Sequence, residues 1–218
     1  MNNLSRLGAC CLAAIMLPGC NSLMNDSYET IKLAISGPEP LVTAEYVNGL
    51  GRPGLVVRLA QSEALLVRAA AYGNVTEWHG LEQMLVTHNG RVIQGAGLPE
   101  ASNLIAPLAA NDPFNGDLRT IDQQEVVRLV DYPDRFLTGI PQIATYELGR
   151  LETVEVMGQA LQLQRLNEYV SMPDIDFATT NTYWFDPATG KVISSNQQLA
   201  PGLPPMGLTE VRPAGFAE

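Results

Sequence analysis

Leu85-Val86-Thr87-His88-Asn89-Gly90-Arg91-Val92 is the stretch on which the fold turns. Asn-Gly is the strongest two-residue hairpin signal, because both residues tolerate positive φ. The run from Leu81 to His88 therefore reverses into Arg91 to Gln94. The same punctuation recurs upstream, where Leu55 to Ala60 and Ala64 to Tyr72 are apolar, β-branched runs and Gly73-Asn74 turns the second into Val75 to His79. Downstream, Ile121 to Asp131 reads as a strand. Ile143 to Met157 and Ala160 to Val170 read as one long hairpin about Gly158-Gln159. In it Leu161 and Leu163 share a face while Leu166 falls out of phase, which predicts a bulge near Gln164-Arg165. Phe177 to Phe185 places Phe177, Tyr183 and Phe185 on one side and Trp184 on the other, and Asp186 to Gly190 turns it into Lys191 to Gln197. The proline-rich tail from Ala200 is expected to be extended, with one short edge strand at Leu208 to Val211.

Between these strands, Gly95 to Thr120 is rich in Ala, Asn, Pro and Gly and lacks strand patterning. It reads as loop with one helical turn near Asn103-Leu104-Ile105, and a loop this long either carries function or packs as an Ω-loop. Successive strands joined by tight hairpins make an antiparallel meander. Alternation blurs at Leu65-Leu66-Val67 and Val126-Val127, as it does in strands covered on both faces. Residues 41–218 are read as a single antiparallel β domain.

The N-terminus carries a different signal. Arg6 precedes an uncharged apolar run from Leu7 to Leu17, and Pro18-Gly19 breaks it just before Cys20. That run is too short for a stable bilayer span but suits the apolar region of an export signal. Leu17-Pro18-Gly19-Cys20 resembles a bacterial lipobox, which implies a signal peptide over residues 1–19 and lipidation of Cys20. Leu7-Gly8-Ala9-Cys10 fits the letters slightly better, but only six residues precede it, with no apolar core for export. Asn21 rather than Asp after the cysteine implies an outer-membrane lipoprotein on the periplasmic face. Residues 20–40 read as lipid tether and short helix: Asp26-Ser27 can cap it, Tyr28, Ile31 and Ile35 recur at helical spacing, and Gly37-Pro38-Glu39-Pro40 ends it. Three acyl chains would anchor the protein permanently, since each buried methylene contributes about 0.8 kcal/mol.

Composition narrows the function. Cys10, Cys11 and Cys20 are the only cysteines, so processing leaves no disulfide, thiol nucleophile or thiolate metal site. The formal charge of −10 disfavours nucleic acid as a partner, and no Lys/Arg run is visible. No metal site or cofactor is expected: His79 and His88 have no helically spaced partner, no Gly-x-Ser-x-Gly elbow exists, and Gly95-Ala96-Gly97 reads as a turn rather than a phosphate loop. Carboxylates are numerous, so a glycosidase pair is one alternative. Its candidates are Asp174 and Asp176, or Asp112, Asp117 and Asp122, against the plainer reading that Asp favours turns. Glu152 and Glu155 point to opposite strand faces and cannot pair. Trp184 and Trp78 are candidate carbohydrate contacts through ring stacking, against the competing reading of core aromatics.

Three features together are similar to the YjbF/GfcB family of group 4 capsule polysaccharide lipoproteins. They are the lipobox, the segment from Leu85 to Val92 with Asn103-Leu104 after it, and Asn181-Thr182-Tyr183-Trp184-Phe185-Asp186 followed by Gly190-Lys191-Val192 and Gln197-Gln198-Leu199. The resemblance implies a mainly β protein, a large curved antiparallel meander sheet around a small helical element. It also implies a role in making or exporting capsule or exopolysaccharide. It transfers no catalytic residue; only Cys20 maps onto known chemistry. The expected function is a non-enzymatic, lipid-anchored assembly or export factor, with polysaccharide and other proteins of a secretion cluster as partners. The alternatives are a carbohydrate-binding module, a glycoside hydrolase, and a carrier that shields a lipid in the concavity of its sheet.

Overall fold

Among the described residues of the computed structural model, twelve strands follow one another, each antiparallel to its neighbours, and the last pairs with the first to close a barrel. The structure describes residues 42–100, 102–122 and 124–216. The expected cleavage and lipidation sites, the tether and its helix lie outside the described residues. The strands are β1 (Gly54–Leu59), β2 (Ser62–Tyr72), β3 (Val75–His79), β4 (Met84–His88), β5 (Arg91–Ala96), β6 (Leu104–Ile105), β7 (Glu125–Tyr132), β8 (Leu137–Val156), β9 (Gln159–Met172), β10 (Phe177–Phe185), β11 (Val192–Gln197) and β12 (Met206–Val211). A short helix, α1 (Ala44–Gly49), precedes them. The antiparallel meander expected from the hairpin signals is therefore present, and it curves until it meets itself.

Turn chemistry sets the register. Asn89 and Gly90 take φ of 44° and 80°, the pair of positive values that a tight hairpin turn needs. Met157 and Gly158 do the same at 50° and 77°, one residue before the expected turn. The expected bulge lies on the facing strand: Leu148 pairs Leu166 and Leu151 pairs Gln164, so the extra residue is in β8, where Gly149 admits the side chain of Arg165.

Two expectations are corrected. Asn103-Leu104-Ile105 forms no helical turn; Leu104 and Ile105 make a two-residue strand that bridges β5 and β7. β12 is not an edge, because it pairs with both β1 and β11. Pairing on both sides leaves β12 no open edge to attract a foreign strand, which the linear order of hairpins does not by itself require.

Alternation sorts the side chains. Val126, Arg128, Val130 and Tyr132 of β7 are all buried, as are Leu166, Glu168, Val170 and Met172 of β9. These point inward, where the barrel is packed with side chains. Val56 and Val211 face outward and are covered by Val42 and by Val47 of α1. Thr43 caps that helix by accepting the Tyr46 N–H.

The long β6–β7 connection folds into the barrel. It contains two single 3-10 turns, η1 (Pro113–Asn115) and η2 (Leu118–Thr120), each capped by the aspartate that precedes it. Phe114 and Leu118 are completely buried among Val126, Ala144, Leu166 and Tyr183. The Phe114 ring meets that of Tyr183 edge-on at 4.8 Å. Of the two readings of this loop, packing is the one observed: it plugs one mouth, and the sheet wraps around these small helical turns.

Candidate functional site

The inward faces of β5, β7, β8, β9 and β10 bring together a set of charges that apolar alternation conceals. Arg128 Nη1 donates to Glu168 Oε1 at 2.7 Å, and Arg128 Nε donates to Asp112 Oδ2 at 2.5 Å. Its remaining nitrogen donates to the Tyr146 hydroxyl. Arg91 Nε donates to the same Glu168 oxygen at 3.2 Å. The Gln142 amide oxygen accepts from Arg91 at 2.7 Å and from Arg128 at 3.0 Å. The second Glu168 oxygen accepts from Asn181 at 3.0 Å and from the Tyr183 hydroxyl at 2.7 Å. Two arginines thus meet two carboxylates inside the wall, with neutral partners completing the set.

Burial by itself would push the Glu168 carboxyl up. Arg91 and Arg128, helped by Asn181 and Tyr183, outweigh it and hold the group at about 2. Burial and then the Glu168 charge push the Tyr183 hydroxyl well above its ordinary range. Glu168 therefore stays an anion and Tyr183 stays neutral near pH 7. Neither is poised to move a proton there, as a general acid or base must be.

Above this network, at the Gly90 end of the barrel, a polar cleft of about 420 Å³ opens beside the plug. Residues that carried the family resemblance build its wall. Asn89 Nδ2 donates to the Gly190 carbonyl at 3.1 Å, and Asn89 Oδ1 accepts the Val192 N–H at 3.2 Å. Gln197 Nε2 donates to the Gly90 carbonyl at 2.8 Å, while its Oε1 accepts the Val92 N–H at 3.0 Å. A β-carbon on Gly90 would lie 2.5 Å from Val192. The Asn-Gly turn is thus clipped to the β10–β11 turn across the barrel. Arg119 and Asp117 form an exposed pair here at 2.6 Å, and Lys191 meets Glu210 at 2.9 Å. Arg119 holds the Asp117 carboxyl down at about 2. The cleft offers Asn, Thr and charged groups to a polyhydroxylated ligand, with no aromatic platform in its lining.

The sites expected from sequence are scattered. Trp78 is 1% exposed, points inward and donates from Nε1 to the Thr87 hydroxyl at 2.9 Å. Trp78 is therefore corrected from carbohydrate contact to core residue. Trp184 is half-buried on the outer face, opposite in direction to Tyr183 and Phe185, and donates to Glu152 Oε2 at 2.9 Å. Arg165 pairs with the other Glu152 oxygen at 2.9 Å. Trp184 thus lies on the outer wall, apart from the cleft lining. Asp174 and Asp176 belong to the turn after β9, η3 (Pro173–Ile175) with its cap. Asp117 caps η2, and Asp112 caps η1 while pairing with Arg128. His79 and His88 lie at opposite ends of the β3–β4 hairpin. Among the described residues, no three His, Cys, Asp or Glu side chains converge on a metal-sized point.

Sequence reasoning missed Arg91, Arg128, Gln142 and Glu168. The available signal was phase: Arg128 falls in step with Val126 and Val130, and Glu168 with Leu166 and Val170, so each charge occupies an inward position.

Comparison with known proteins gives a consistent result. Residues 28–211 match the family model described as group 4 capsule polysaccharide lipoprotein gfcB, YjbF. The uncharacterized lipoprotein GfcB of Escherichia coli (strain K12) is 26% identical over 207 residues, covering 92% of this chain and 95% of that one. The crystal structure of the hypothetical lipoprotein YmcC from Escherichia coli (K12) is similar with a TM-score of 0.68 and 25% identity, over 86% of this chain and 96% of that one.

Proposed function

Because the chain belongs to the YjbF family of group 4 capsule polysaccharide lipoproteins, we propose that it assists the assembly or export of capsule or exopolysaccharide without catalysing a reaction. It does so anchored by acyl chains on Cys20 to the periplasmic face of the outer membrane, among other proteins of the same secretion cluster. The observation that carries the non-enzymatic part is the state of the buried carboxylates. Glu168 and Asp112 are each held by arginine and shut away from solvent, so these two carboxylates are out of reach of the glycosidic bond that a hydrolase pair must flank. The Asn-Gly-Arg and Gly-Lys-Val motifs act as clips for the barrel, which gives them a structural use.

Deletion of the gene tests the role directly: surface polysaccharide should fall in amount or change in chain length, and Cys20→Ser should reproduce the defect. Unchanged polymer in the deletion strain would reject the role. Incubation of the pure protein with the native polymer should release no new reducing ends; their appearance would establish the hydrolase alternative.

A second reading, direct carbohydrate binding, is favoured by Trp184. A half-exposed indole with its N–H held by a carboxylate, beside an arginine, is a surface on which sugar C–H faces stack while hydroxyls find partners. Calorimetric titration with the polymer tests it, and Trp184→Ala localises it.

A further inference from the structure

At the end opposite the polar cleft, the barrel opens onto an apolar pocket of about 340 Å³. Val57 and Leu59 of β1 and Leu98 of the β5–β6 loop form half-buried walls, and Leu66, Leu85 and Met206 form a buried floor. Ser62 and Gln83, the polar side chains of the lining, stand at the mouth with exposed Ala64. A pocket this size at a barrel mouth is suited to a small ligand, and its walls give water too few partners to be held well. At roughly 30 Å³ for each water-sized group, it holds a chain of about ten methylenes.

The surroundings define the occupant further. Two exposed apolar tips stand at the same end, Leu81 in the β3–β4 connection and Phe136 in the β7–β8 connection. Charges near the mouth are mainly acidic, with Glu63, Glu82, Glu100 and Asp134 against Arg58, which pairs with Glu63 at 2.6 Å, and Arg135, which donates to the Glu100 carbonyl at 3.1 Å; the balance disfavours an anionic head group. The Val42 N–H donates to Glu63 Oε1 at 2.8 Å, and Glu63 sits between Ser62 and Ala64 of the mouth.

We propose that the pocket takes one acyl chain of a neutral or zwitterionic lipid, from the protein's own N-terminal lipid or from a separate molecule. The full-length Cys20→Ser chain, which carries no acyl group at residue 20, is titrated with the neutral fluorophore N-phenyl-1-naphthylamine. Saturable uptake is expected. A 12-carbon lysophosphatidylethanolamine should displace the fluorophore at least tenfold more effectively than a 6-carbon analogue. Ala64→Trp, which fills the exposed mouth, and Leu59→Asp, which charges the wall, should each weaken uptake at least tenfold, while Tyr46→Ala on the outer helix should not. No saturable uptake, or uptake unweakened in both pocket variants, overturns the proposal. Photo-crosslinking in the host from Leu98→p-benzoylphenylalanine distinguishes the sources. An adduct on the chain's own N-terminal lipopeptide marks its own acyl group, an adduct to free lipid marks a separate molecule, and no lipid adduct overturns the proposal.

Discussion

Arg128 and Glu168 meet at 2.7 Å inside the barrel, with neither side chain exposed to solvent. Taking two such ions out of water is costly, and only dense hydrogen bonding makes the arrangement tolerable. Here Asp112, Gln142, Tyr146, Asn181 and Tyr183 supply that bonding from elements far apart in sequence. The network therefore fixes the relative positions of the plug, β7, β8, β9 and β10.

Arg128→Met should destabilise the fold by about 3–5 kcal/mol, because it strands two buried carboxylates without their shared cation. Urea denaturation of the variant against the parent measures this. Glu168→Gln in the same background should recover part of the loss, and the double-mutant cycle reads the coupling between the two residues. Additive effects would show that the pair does not act as a unit.

Acid should unfold the protein through Glu168. Burial raises this carboxyl, but the two arginines hold it at about 2, against an ordinary value of 4.5. A group whose pKa is lower when folded than when unfolded contributes its full stability above the unfolded value. That contribution disappears as pH falls through the folded value. Stability should therefore hold above pH 4.5 and decline towards pH 2. Glu168→Gln, though less stable near neutrality, should show a shallower decline across the same window. Thermal melts in steps of pH check both slopes.

Much of the wall was legible because hairpin turns are local. Asn89-Gly90 and Gly73-Asn74 announce themselves in two residues each, and the strands on either side follow from period-two alternation. Closure was not legible, since the pairing of Gly54 with Val211 joins residues at opposite ends of the domain and leaves no short-range mark. The plug was half legible. Its irregular composition marked Gly95 to Thr120 as unusual, but nothing local shows that Phe114 inserts between Tyr146 and Tyr183. Trp78 stayed ambiguous for a related reason: its strand, β3, shows little apolar alternation, and its burial depends on strands that close around it.

The clip between Asn89 and the β10–β11 turn is a contact of the same long-range kind. Asn89→Ala removes the acceptor for the Val192 N–H and the donor to the Gly190 carbonyl. A loss of about 1–2 kcal/mol is expected, with faster amide exchange at Val192 as the local readout. Gly90→Ala should cost more, because its β-carbon would press on Val192 at 2.5 Å from a φ of +80°. If Gly90→Ala proved neutral, the two turns would not be in the contact described.

The two tryptophans should separate stability from binding. Trp78→Ala opens a cavity in the wall's interior and strands the Thr87 hydroxyl, and should lose about 3–5 kcal/mol. Trp184→Ala removes a half-exposed ring from the outer face and should cost much less. Its larger effect should appear in calorimetry with the native polymer, where stacking is lost while the melting temperature moves by only a few degrees. Glu152→Gln keeps the shape and a hydrogen-bond acceptor for the indole but removes the charge shared with Arg165. It should weaken polymer binding less than Trp184→Ala if stacking dominates, and more if hydroxyl recognition by the carboxylate does. Polymer binding unchanged in both variants would remove this face from the carbohydrate reading and leave the polar cleft beside Arg119 and Lys191 as the surface to probe.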